Sequence, residues 1–155
     1  MRADMVRAYV ESLIERLTGE DKVVPDEDGD YPVRYRSAAY YVRLVGDVDP
    51  VLQVFAIAVK DIEATPALYE RLNGINADIR FARIFWVGKQ VLVESDLVSQ
   101  TLDKEEFDQA CQAVGTITDH FGPLLAAEFG GATFFADEKD EQAPAEDTSN
   151  TGQYL

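Results

Sequence analysis

An α+β fold is predicted for this chain: two layers, with helices on an antiparallel five-stranded sheet, in the order α-β-β-β-α-β-β-α. Three observations predict it. Apolar residues recur three and four apart in three segments, as on one face of a helix, while five other runs are rich in β-branched and aromatic residues. The gaps between consecutive strands are only a few residues long, which makes neighbouring strands antiparallel and excludes the long crossovers of a Rossmann-type sheet. The length of 155 residues suits one domain, and 46% hydrophobic residues suffice for an ordinary core without disulfide or metal.

Each element has its own signal. Met5, Val6, Tyr9, Val10, Leu13, Ile14 and Leu17 form one stripe of a first helix, over about residues 3–17, which Thr18-Gly19 ends. An acidic loop follows, with a turn at Asp28-Gly29-Asp30. Strands are predicted at 31–36, 39–45 and 51–60, joined by Arg36-Ser37 and by Gly46 to Pro50. Thr65 caps a second helix with Pro66 at its first position and Leu68, Leu72 and Ile75 on its inner face. Strands at 80–87 and 90–95 meet at Gly88-Lys89. Asp103 caps the last helix, whose Phe107, Ala110, Cys111, Val114, Ile117 and Phe121 share a face, and Gly122-Pro123 is expected to kink or restart it before Leu124, Leu125 and Phe129.

The charge is unevenly spread. The chain holds 29 acidic residues against 14 Lys and Arg, a net −15. Six acids against Lys22 make the stretch 18–30 −5, and six against Lys139 make 137–155 −5 as well. The domain is therefore expected to span 1–136, with 137–155 a disordered acidic tail. Acidity disfavours nucleic acid, whose affinity comes mostly from Lys and Arg. Arg34, Arg36, Arg43, Arg80 and Arg83 do interleave with Tyr35, Tyr41, Phe81 and Phe85, a mix that also suits pairing with acidic groups. A single cysteine fits a reducing compartment, with cytoplasm the default, and residues 1–17 carry neither an export signal nor an apolar span, so no membrane partner is expected.

Catalytic and metal chemistry find few footholds. One His and one Cys cannot furnish a structural zinc site. Asp26, Asp28 and Asp30 begin like a calcium loop, but the glycine falls at the fourth position and Ser37 at the twelfth, so a solvated turn is the reading. Gly88-Lys89 joins two strands and lacks the earlier glycine of a P-loop. Asp119 and His120 are adjacent on a helix and point about 100° apart. Cys111 lies in the apolar stripe, where it packs as a small hydrophobe. No catalytic residue, metal or cofactor is assigned, and no enzyme is expected.

The strands themselves are the informative feature. In 51–60, Leu52, Val54, Ala56 and Ala58 point one way and Val51, Phe55, Ile57 and Val59 the other, so both faces are apolar. In 80–87, Phe81, Phe85 and Val87 share a face with Arg83, opposite Ala82, Ile84 and Trp86. Helices on one side would leave the second face polar in an ordinary two-layer domain. Its apolar character calls for another cover: the last helix, the C-terminal segment, a loop, a homodimer partner or a bound peptide.

Asp26-Glu-Asp-Gly-Asp30, Leu52-Gln-Val-Phe55, Leu72-Asn-Gly-Ile-Asn76, Phe81, the stretch 114–120 and Phe129-Gly-Gly131 together resemble actinobacterial YbjN-type proteins, which are similar to type III secretion (Tir/CesT-like) chaperones. The resemblance covers about residues 1–131. It implies a secretion-chaperone-like fold and a non-enzymatic, peptide-binding role, often as a dimer. The function expected is thus a chaperone-like protein that binds a peptide or partly unfolded protein client through apolar sheet surface at Phe55, Ile57, Phe85 and Trp86. The alternative is an adaptor or regulatory dimer that docks a folded partner.

Overall fold

The computed structural model describes residues 2–134; the expected acidic tail at 137–155 lies outside the described residues. Helix α1 (Ala3–Thr18) ends where Gly19 takes a left-handed φ of 77° and returns its N–H to the Glu15 carbonyl. Strands β1 (Tyr31–Tyr35), β2 (Ala38–Val45) and β3 (Val51–Lys60) follow as a meander. Helix α2 (Pro66–Asp78) opens with the Thr65 hydroxyl accepting the Leu68 N–H and Pro66 in its first turn. Strands β4 (Arg83–Val87) and β5 (Gln90–Val98) join through Gly88 and Lys89, both at positive φ, as a two-residue hairpin of mirror-image type demands. Helix α3 (Lys104–Phe129) begins with a reciprocal capping box between Asp103 and Glu106.

The strands form one antiparallel sheet in the order β1-β2-β3-β5-β4. The element order and the five-stranded sheet are those predicted. One face, carrying Tyr31, Val42, Leu52, Val54, Ile84 and Val93, is buried in a single core with the inner stripes of the helices. A β-bulge between Ile57 and Val59 lets Ala58 and Val59 both join that core.

Three details differ from the sequence-based expectation. The last helix does not restart at Pro123 but runs unbroken to Phe129. Phe121, Gly122 and Leu125 are buried around it, and that packing outweighs the one hydrogen bond that proline removes. Gly122 permits the approach, since a Cβ there would lie 2.9 Å from the Ala58 carbonyl oxygen. Strand β4 starts at Arg83, because Phe81 sits at φ 68° and breaks the extended run. Strand β5 in turn reaches Val98, beyond the predicted end at Ser95.

Candidate functional site

The sheet face away from the helices is built by register. Tyr41 pairs with Phe55, Phe55 with Glu94, Ile57 with Leu92 and Leu92 with Phe85, and paired residues share a face, so Tyr41, Phe55, Ile57, Leu92 and Phe85 form one half-buried apolar band across four strands. Tyr41 and Phe55 stack with ring centroids 5.4 Å apart. Phe134 reaches this band from the C-terminal side, edge-on to Tyr41 at 6.2 Å. Its chain is led there by a bridge between Lys60 and Ala132.

Two arginines lie over the band. The Arg43 guanidinium sits 4.6 Å from the Phe55 ring centroid and donates to both Asp30 oxygens at 2.7 and 2.6 Å. These bonds to the buried Asp30 carboxylate push the Arg43 pKa further up. Arg83 stacks 4.9 Å over Phe85 and pairs with Glu94. Planar cations thus cap planar rings, so the face offers both apolar area and donors to an incoming chain.

Of the four residues singled out in the sequence, Phe55, Ile57 and Phe85 lie together on this open face. Trp86 lies on the opposite one. Its indole N–H donates to the Ile62 carbonyl at 2.9 Å and its ring meets Tyr69 of α2 edge-on at 6.3 Å. Alternation along β4 already separated Phe85 from Trp86. Tyr41, Arg43 and Arg83 figured in the sequence only as part of an arginine–aromatic mix and Leu92 not at all, although hairpin register alone sets Tyr41 against Phe55.

Groups with catalytic or metal-binding potential serve the fold instead. Asp26 Oδ1 accepts the N–H groups of Asp28 and Asp30 at 2.9 Å each, and Asp30 binds Arg43, so the three clustered carboxylates organise a turn and an ion pair. Asp119 accepts the Ser37 N–H at 3.0 Å and the Ser37 hydroxyl, bracing the β1–β2 turn. His120 stands edge-on to Phe121. Cys111 is buried under α3, and burial pushes its thiol up to about 12, which keeps it protonated and unreactive. No helix among the described residues is long and apolar enough to cross a membrane.

Residues 4–137 match the family model of TY-Chap1, described as T3SS (YopN, CesT) and YbjN peptide-binding chaperone 1. The chain belongs to this family. A TY-Chap1 protein is a peptide-binding chaperone of the T3SS/YbjN type and not an enzyme. The fold is also that of solved secretion chaperones. A chain of the ExsC–ExsE complex superposes with a TM-score of 0.59 at 15% identity, over 76% of this chain and 94% of that one. A chain of the HopA1–SchA chaperone–effector complex gives 0.58 at 10%, over 78% and 96%. The Yersinia pestis type III secretion chaperone SycH, solved with a stable fragment of YscM2, gives 0.51 at 16%, over 70% and 96%. No curated protein matches the sequence.

Proposed function

We propose that this TY-Chap1 protein holds an extended or partly unfolded segment of a client polypeptide against the open face of its sheet, with Phe55, Ile57 and Phe85 as contact residues. The observation that carries this is the apolar band across four strands, which no described helix covers. Covering it contributes on the order of 25 cal/mol per Å² of apolar surface removed from water. Trp86 supports β4 from behind the band and reports on it. The similar chains come from the ExsC–ExsE complex and the HopA1–SchA chaperone–effector complex, which supports a polypeptide client here. The single buried thiol suits a reducing cytoplasm as the place of work.

Titration with a library of extended peptides, followed by Trp86 fluorescence and ring resonances of Tyr41 and Phe55, tests the reading. Peptides should bind the native chain, and Phe55→Asp combined with Phe85→Asp should abolish binding with little change in Tm, since both rings are only half-buried. Undiminished binding by that double variant overturns the proposal. A partner bound only when folded selects the adaptor reading, and a band already covered by a second copy shows as a dimer in light scattering.

A further inference from the structure

The sheet is split at one end. Pairing between β2 and β3 stops at Tyr41 and Phe55, although β2 starts at Ala38 and β3 runs to Lys60. The chain returns to this split from the end of α3. Gly130 and Gly131 take positive φ, 91° and 89°, and turn it back toward β3. Glycine is needed at 131, since a Cβ there would lie 2.6 Å from the Lys60 carbonyl oxygen and 2.8 Å from Val59 Cγ1. Lys60 and Ala132 then exchange both backbone hydrogen bonds at 2.9 Å. Lys60 already has Gln90 beside it on β5, so Ala132 joins it on the β2 side. Two residues on, Phe134 meets Tyr41 at the near end of the apolar band.

This seat has a cost built into it. Ala132, Thr133 and Phe134 are only half-buried. Beneath them a cavity of about 10 Å³ is bordered by Ser37, Ile57, Thr118, Pro123, Thr133 and Phe134. Thr118 is 4% exposed, and its hydroxyl is buried with no hydrogen-bond partner among the described residues. Laying the segment over Thr118 takes a hydroxyl from water and gives it no bond in return, a penalty that lifting the segment relieves. The bonds to Lys60 and the ring of Phe134 hold the segment down while Thr118 works against them. Such a contact is poised to open.

We propose that residues 131–134 are a strap that competes with the client for the Tyr41 and Ile57 end of the open face, closed over it in the free protein and lifted when a client segment binds. The inference rests on the reading that the open face takes extended polypeptide, and adds that a segment of the same chain regulates that site. Only molecules with the strap lifted present the whole band. The apparent Kd is therefore the intrinsic Kd divided by the open fraction. Whatever loosens the strap tightens client binding, and whatever fastens it weakens binding.

The test uses the full chain, the library of extended peptides and three variants. In the free protein the Ala132 amide should be protected from hydrogen exchange, and it should lose that protection when the tightest library peptide is bound. Gly131→Ala and Phe134→Ala, which unseat the strap, should bind that peptide about three- to tenfold more tightly. Thr118→Val replaces the orphaned hydroxyl with a methyl of similar size, and should fasten the strap and weaken binding about tenfold. Phe134→Ala serves if the alanine at 131 disturbs β3. Ala132 protection that persists with peptide bound, equal or weaker binding by the folded release variants, or undiminished binding by Thr118→Val overturns the inference. Protection that rises with protein concentration overturns it too, in favour of a segment exchanged between two copies. The double variant Phe55→Asp with Phe85→Asp separates the two proposals. If it loses binding while the strap variants bind as the parent does, the open face stands and only the strap falls. If it binds undiminished, or if the library is silent toward parent and release variants alike, both fall.

Discussion

Arg43 illustrates how single side chains serve two surfaces at once. Its fork neutralises Asp30, which is 4% exposed, while its plane covers Phe55. The sequence displayed arginines among aromatics on strands but not their partners, because Asp30 lies in a loop whose path no periodicity reveals. Asp96 shows the reverse situation, a carboxylate whose neighbouring Arg83, 3.9 Å away, is shared with Glu94. Its pKa is raised by burial and by Glu94, so the folded state binds its proton more tightly than the unfolded chain does. The stabilisation this gives is full below 3.8, the ordinary value, and is lost as the pH rises through the folded pKa. Asp96→Asn should therefore gain in Tm over the parent as pH rises through the carboxylate range, with a constant gap above it. Parallel melting curves from acidic to neutral pH check this. A gap that shrinks as pH rises contradicts the assignment.

At the level of elements, the three helices and five strands were legible because each has a period and a stop signal of its own. What escaped was set by contacts between elements. Pro123 reads locally as a helix breaker, yet Gly122 seats α3 against the Ala58 carbonyl and the helix continues. Phe81 reads as a strand residue by its type, whereas its positive φ depends on how α2 hands the chain to β4. Asn76 figured in the sequence only at the end of the Leu72–Asn76 stretch, and it satisfies both peptide groups of Ile84 on the outer edge of β4. That edge is thereby blunted against further pairing. Gly122→Ala should cost about 1–3 kcal/mol, because its Cβ would meet backbone that cannot move cheaply. Denaturant unfolding measures this, and an unchanged midpoint would show that α3 can lift off β3 at no expense.

For the whole molecule, the open sheet face was the part of the candidate site most legible in sequence, since β3 is apolar on both sides. The late start of β4 at Arg83 was not legible, because the backbone angle of Phe81 depends on neighbouring elements. The net charge of −15 is concentrated in the loop after α1 and in 137–155. The hydrophobic core of the described chain is complete between Val6 and Leu125. Removing 137–155 should leave Tm nearly unchanged, as differential scanning calorimetry can show, and a large drop would mean that those residues contribute to the fold.

Cys111, the one thiol, lies on the inner face of α3 and is 2% exposed. An alkylating reagent reaches so buried a thiol chiefly through native-state opening, so its labelling rate is a clock for that breathing. Any ligand that prefers the closed form slows the clock by the factor 1 + [L]/Kd, provided opening and closing outpace alkylation. Binding can then be timed by mass spectrometry on the unmodified chain, with no dye on the client and whichever surface the client docks on.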